Sequence, residues 1–87
     1  MNYQVNKKLY YLIEEITDVE SFYEFLRLNK RLKVRCLVTI SGYDSNHHSI
    51  SMWRGNNKVE VKETNNCDVW NTVRTGLRTL LGVSHNG

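Results

Sequence analysis

The chain has 87 residues, which fits one domain, because two domains of half that length would each bury too little core without metals or disulfides. Its net charge of +3 and pI near 9.0 are too modest for a disordered basic tail. So small a chain also leaves little room for a deep catalytic cleft. We therefore predict a single compact domain spanning residues 1–87.

Charge is unevenly divided along this domain. Residues 1–24 contain two lysines and five acidic residues, whereas residues 25–87 contain ten basic and four acidic residues. The basic side chains are densest from Arg27 to Arg35, a stretch without any acid. Opposed charges on one small protein favour oriented docking on a charged partner.

Two helices are predicted before this basic stretch. The first begins at about Asn6, and its apolar residues recur with helical spacing at Leu9, Leu12, Ile13 and Ile16. For the second, Thr17 is the expected N-cap, with Glu20 completing a capping box. Asn29 is expected to end this helix in a left-handed conformation, with basic residues around it complementing the helix dipole.

From Leu32 the apolar pattern changes to a period of two, which predicts three antiparallel strands. Turns are predicted at Gly42–His47 and Gly55–Asn57. One sheet face is expected to carry Val34, Cys36, Val38, Ile40, Ile50, Met52, Val59 and Val61. The other face should be polar apart from Leu37 and Trp53.

A third helix follows, capped by Asn65 or Asn66 and ended by Gly82. Its apolar stripe comprises Val69, Trp70, Val73, Leu77, Leu80 and Leu81. Gly76 within the helix suggests either a close approach of another backbone or simple tolerance of glycine. The predicted fold is α+β: a three-stranded antiparallel β-meander with an N-terminal helix or helix pair and a C-terminal helix packed on one face, in the order α-α-β-β-β-α.

This element order resembles that of the double-stranded RNA-binding domain. That family grips phosphates with a lysine cluster at the start of its last helix. In this chain the corresponding positions are Asn65, Asn66, Cys67, Asp68 and Val69. The resemblance is therefore one of topology, and it implies no role for any residue.

No catalytic or metal motif is found in the sequence. His47 and His48, near Asp44 and Ser45, are interpreted as exposed histidines of a polar turn, which lacks the scaffold that a nucleophile needs. The histidines are also too few for a specific metal site. We predict that the protein is not an enzyme and needs no cofactor.

The two cysteines are expected to be reduced and partly buried, although a disulfide between Cys36 and Cys67 remains an alternative. The sequence contains neither a signal-peptide pattern nor an apolar run long enough to span a bilayer. We expect a cytoplasmic protein without membrane contact, placed in the host cytoplasm if the chain is viral.

The candidate partner-binding residues are basic, with one aromatic residue among them. They are Arg31, Lys33, Arg35, Trp53, Arg54, Lys58, Lys62, Arg74 and Arg78. Trp53 among cations on a sheet suits either a protein hot spot or base stacking. Alternatively, its side chain folds over its sheet neighbours as part of the structure. Arg74 and Arg78, one turn apart on the last helix, form either a binding stripe or a solvated face.

Two functions are consistent with these features. The first is a small stand-alone binding protein that docks on a larger protein or nucleoprotein complex and blocks or modulates it, as small inhibitors from phages and mobile elements do. The alternative is a domain that binds RNA or DNA directly through a basic sheet face containing Trp53. The mixed charge favours the first. The sequence leaves the oligomeric state open, since either edge strand could pair with a second copy.

Overall fold

In the part of the chain that the structure describes, three helices and three strands follow one another in the order α-α-β-β-β-α, which confirms the predicted α+β fold. The computed structural model describes residues 3–41, 47–63 and 66–83. The elements are α1 (Tyr3–Glu14), α2 (Val19–Leu28), a 3-10 turn (Lys30–Leu32), β1 (Arg35–Ser41), β2 (His47–Arg54), β3 (Asn57–Glu63) and α3 (Asn66–Leu81).

The strands form one antiparallel sheet in which β2 lies between β1 and β3. Val38 pairs with Ile50, and Ile50 pairs with Val61, so that apolar side chains share the inner face. A two-residue turn, Gly55–Asn56, joins β2 to β3. Of these two residues only Gly55 has a positive φ, +63°, which is the pattern of a type II′ hairpin turn.

The core lies between the inner sheet face and the helices. Its fully buried side chains include Ile13, Ile16, Phe22, Ile50, Met52, Val61, Val69, Val73 and Leu77. The principal contacts between helix and sheet are those of α3 with β2 and β3. Ile40 on β1 consequently remains 40% exposed, although it belongs to the inner face.

The caps of α2 differ from those predicted. Asp18 is the N-cap: its Oδ1 accepts a hydrogen bond from the Ser21 amide (2.8 Å), and the Asp18 amide donates to Ser21 Oγ (3.0 Å). The expected cap, Thr17, lies one residue too early. The sequence holds two overlapping capping boxes, and the one with a carboxylate acceptor makes the stronger, charge-assisted bond.

The left-handed residue after α2 is also not the expected one. Asn29 has φ −122°, and its side-chain amide donates to the Phe25 carbonyl (2.8 Å). Lys33 takes the left-handed conformation instead, with φ 57°, at the end of the 3-10 turn. The left-handed residue therefore lies four positions later than predicted, and β1 begins at Arg35 and not at Leu32, which belongs to the 3-10 turn.

The predicted exposure of both histidines is wrong for His48. β2 begins at His47, which is exposed, so His48 shares the inner face with Ile50 and is only 6% exposed. Its ring packs edge-on against Trp70, with centroids 6.3 Å apart. The buried positions of β2 therefore begin at His48, two residues before Ile50, although the polar residues around His48 had suggested a turn. Asp44 and Ser45 lie outside the described residues.

The end of α3 is as predicted: Gly82 follows its last residue with φ +67°. Gly76 differs from the prediction, because the sheet approaches it with side chains of Val59 and Met52 and not with backbone. Asn66, one of the two proposed caps, is already the first residue of the helix. Asn65, the first of the two proposed caps, lies outside the described residues. Cys36 is a free thiol, and the Cys67 side chain falls outside the described part.

Candidate functional site

The sheet face opposite the helices is open to solvent. Leu37 of β1 is 61% exposed at the middle of its strand, and the neighbouring Arg35 and Thr39 are exposed as well. On β3 the exposed side chains are Lys58, Glu60 and Lys62. An uncovered face with an apolar residue between charged ones is an available contact surface.

Trp53 stands at the centre of a row that crosses all three strands. The strand register places Arg35 opposite Trp53 on one side and Lys58 opposite it on the other. Lys58 Nζ lies 5.3 Å from the centre of the Trp53 ring, within the range of a cation–π contact. We call Arg35, Trp53 and Lys58 the Trp53 row. Its tryptophan is half-buried, with part of the ring left to solvent.

One carboxylate sits among these cations. Glu60 Oε1 lies 2.8 Å from Lys58 Nζ, and this hydrogen bond, together with the charges of Lys58 and Lys62, lowers the pKa of Glu60. The carboxyl group is therefore ionised at neutral pH. Since Glu60 offsets one cation, the open face is basic but mixed in charge.

The Trp53 row marks one end of the sheet. The start of β1, the end of β2 and the start of β3 meet there, and the exposed Arg31 and Lys33 lead into β1 at the same end. An open concavity of about 450 Å³ at this end is lined by Arg35, Cys36, Trp53 and Gly55. Lys62 lies farther along the same face, on β3 opposite Ser49.

Burial raises the pKa of the Cys36 thiol, so that this group is protonated at neutral pH. A protonated thiol is a poor nucleophile and a poor metal ligand. Among the described residues no group of three or more His, Cys, Asp or Glu side chains is arranged to hold a metal ion.

Three of the nine candidate residues are engaged within the protein instead. Arg54 Nη1 donates to the Leu80 carbonyl at 3.3 Å, and Arg74 Nη1 donates to the Ile16 carbonyl. Arg78 forms an ion pair with Glu14. These guanidinium groups fasten α3 to β2, to the end of α1 and to the residues after it, so they are not part of the Trp53 row.

Sequence reasoning did not select Leu37 as a binding residue, although its outward position was recognised. The available signal was an apolar residue at an outward position of a strand whose other outward neighbours are Arg35 and Thr39. Such a residue has no core to bury against and favours a contact surface.

Comparison of the chain with protein-family models, with curated proteins and with solved structures found no match. Within the described ranges, no helix has the length and apolar content required to cross a membrane. The candidate site is therefore defined by its own geometry: the Trp53 row, with Leu37, Glu60 and Lys62 beside it.

Proposed function

We propose that this protein is a non-catalytic binding protein that docks its open sheet face onto a larger protein or nucleoprotein complex and thereby blocks or modulates it. The observation that carries the proposal is the Trp53 row: a half-buried tryptophan, with part of its ring open to solvent, between two cations on a face that the helices leave uncovered. Tryptophan and arginine are the residues that most often dominate binding energy at protein interfaces.

The chemistry of the face indicates an acidic partner surface with an apolar patch. Arg35, Lys58 and Lys62 supply positive charge, while Leu37 and the exposed part of Trp53 supply apolar area. A protein surface tolerates an acid such as Glu60 within the contact, because side chains of either sign can be placed opposite it.

The acidic region of the molecule supports oriented docking. Glu15, Asp18 and Glu20 are all exposed in the segment from α1 to α2, whose helices pack against α3 and not on the open sheet face. A molecule with a basic face and a separate acidic region aligns in the field of a charged partner before contact, which raises the association rate and selects one orientation.

Direct binding of RNA or DNA is the second candidate. The observation in its favour is that Arg31, Lys33 and Arg35 lie at the same sheet end as the aromatic ring of Trp53. Cations for the phosphates and a ring for base stacking are the elements of single-strand recognition. Against it, Lys58 already lies over the Trp53 ring and Glu60 reduces the local positive charge.

The first test compares immobilised wild-type protein with the Trp53→Ala and Arg35→Glu variants. Each is incubated with a lysate of the cells in which the protein naturally occurs, and the retained proteins are quantified by mass spectrometry. Lys8→Glu is the matched control, since it makes the same charge change on α1, away from the sheet. We expect a specific protein or complex to be retained by wild type and by Lys8→Glu, and lost with both sheet variants. Retention that is equal for all four proteins would refute docking through this face.

The second test titrates labelled single-stranded and double-stranded RNA and DNA at low and high salt. If the partner is a protein, we expect weak nucleic-acid binding at both salt concentrations. Tight binding that falls steeply with salt, and that Arg35→Glu abolishes, would replace the protein partner with a nucleic acid.

A further inference from the structure

The free edge of β1 lacks the features that normally protect a sheet edge. Residues 36–41 contain no charge and no proline, and both Leu37 and Ile40 are exposed, on opposite faces of the strand. Edge strands of this kind present unpaired backbone N–H and C=O groups to any further strand. Natural proteins usually block such an edge with charge, a bulge or a covering helix.

The other edge of the same sheet is protected. β3 carries Lys58, Glu60 and Lys62 in alternation on its open face, and α3 packs against its inner face. Both edges belong to one small sheet, yet only β1 remains apolar and accessible on both of its faces. The contrast points to a strand-pairing role for β1.

We propose that two copies of this chain associate by antiparallel pairing of β1 with β1, which joins the two sheets into one sheet of six strands. In the register that pairs the whole of β1, Val38 lies opposite Val38 of the second copy, and Cys36 lies opposite Ile40. Arg35 lies opposite Ser41, so no like charges face each other. Cross-strand pairs of this kind stabilise a sheet.

The strand is complementary to itself on both faces. On the inner face the half-buried Cys36 and Val38 and the exposed Ile40 form one apolar ridge, which the second copy would continue across the joint. On the open face Leu37 lies opposite Thr39 of the second copy, a pair without charge. A two-fold arrangement uses the same strand from each copy and closes as a dimer.

The combined sheet would carry two Trp53 rows. Antiparallel pairing places them toward opposite ends of the shared open face, because each row lies at the start of its own β1. The binding surface shares Arg35 and Leu37 with the pairing strand, but Trp53 lies on β2 and outside it, so a change at Trp53 separates the dimer from the proposed function. A Trp53→Ala variant should remain dimeric even where it loses its partner.

Sedimentation velocity of the full chain over a range of concentrations tests the proposal. We expect a monomer–dimer equilibrium for wild type. Leu37→Lys/Thr39→Lys places lysine opposite lysine at two symmetry-related pairs and should yield monomers. The matched control, Asn56→Lys/Asn57→Lys, adds the same charge at the exposed β2–β3 turn and the first residue of β3, and it should leave the dimer intact.

A variant with the opposite charge tests whether the lysine variant is monomeric because of charge repulsion. Leu37→Glu/Thr39→Glu should also be monomeric alone, and a mixture with the lysine variant should form a mixed dimer. Circular dichroism and thermal melting of each variant distinguish loss of pairing from loss of fold. A wild-type chain that is monomeric at every concentration, or a folded lysine variant that still dimerises as wild type does, would overturn the proposal.

Cross-linking tests the register. In a Cys36→Ser/Cys67→Ser background, Val38→Cys should form a disulfide-linked dimer under mild oxidation, because residue 38 faces its own copy across the two-fold axis. Asn56→Cys in the same background is the exposed control and should cross-link far more slowly. Equal rates for the two would exclude this register.

Discussion

Gly76 of α3 faces Val59 of β3 so closely that a Cβ atom at position 76 would lie 2.7 Å from Val59 Cγ1. The same atom would lie 3.1 Å from Met52 Cε. The absence of a side chain at Gly76 thus allows α3 to pack closely against the sheet. Gly76→Ala should destabilise the protein by about 1–3 kcal/mol through overpacking, even though alanine favours a helix by about 1 kcal/mol. Urea unfolding measures the change.

A double variant identifies the cause. Val59→Ala removes the Cγ1 atom that the new methyl group would meet, so Gly76→Ala should cost less in that background than in wild type. Thr75→Ala, an exposed change in the same helix, controls for helix propensity. If Gly76→Ala stabilises the protein as an exposed glycine replacement would, the close approach is not a constraint.

Removal of the two tryptophan side chains should lower the stability of the protein by different amounts. Trp70 is buried, its ring lies 6.0 Å from that of Phe22, and Trp70→Ala should cost about 3–5 kcal/mol as a core deletion. Trp53→Ala should change the free energy of unfolding less, because its half-buried ring lies on the open face and outside the buried core. Chemical denaturation of both variants compares them directly. Equal losses would mean that Trp53 is needed for the fold.

Arg78 should be a structural residue. Its guanidinium carbon lies 4.2 Å from the centre of the Tyr10 ring while the group also pairs with Glu14, so it joins α3 to α1 twice. Arg78→Met should lower the free energy of unfolding by about 1–2 kcal/mol through loss of the cation–π contact and the ion pair. Thermal melting measures this loss. Arg27→Met removes an exposed pair with Glu24 within α2 and should have little effect; a comparable loss there would contradict this account.

The α2 cap predicts a pH dependence. Hydrogen bonds from the amide and the hydroxyl of Ser21 lower the pKa of Asp18 in the folded protein. A carboxyl group with a lowered folded-state pKa contributes stability above its unfolded value of about 3.9 and loses it as pH falls through the folded value. Asp18→Asn keeps a capping acceptor without this titration, so the variant should lose less stability than wild type on acidification below about pH 4. Identical acid profiles for the two proteins would contradict this assignment.

The element order and the two sheet faces, apart from His48, could be predicted because they depend on local periodicity. The alternation of Cys36, Val38 and Ile40 specifies a strand, and the stripe that includes Val73 and Leu77 specifies a helix that must cover apolar strands. The cap of α2 could not be fixed in the same way. Thr17 and Asp18 both fit a capping box, and the structure uses the one whose carboxylate accepts the charge-assisted hydrogen bond from the Ser21 amide.

The candidate site was less predictable, because an arginine looks the same in sequence whether it binds a partner or its own chain. The register needed to place Arg35 beside Trp53 follows from strand pairing, which alternation indicates. The contacts of Arg74 with the Ile16 carbonyl and of Arg78 with Glu14 span 58 and 64 residues of sequence. No local sequence pattern can predict contacts between residues so far apart in the chain. His48 was missed for a related reason: its ring packs against Trp70, which belongs to a helix far away in the sequence.

The position of α3 in the chain determines when the domain can fold during synthesis. This helix supplies much of the core and binds, through Arg74, to the backbone after α1. Until α3 has emerged from the ribosome, the preceding helices and strands lack the element that covers their apolar surfaces, and the open edge of β1 is exposed beside them. A chain truncated before α3 should therefore aggregate and not fold.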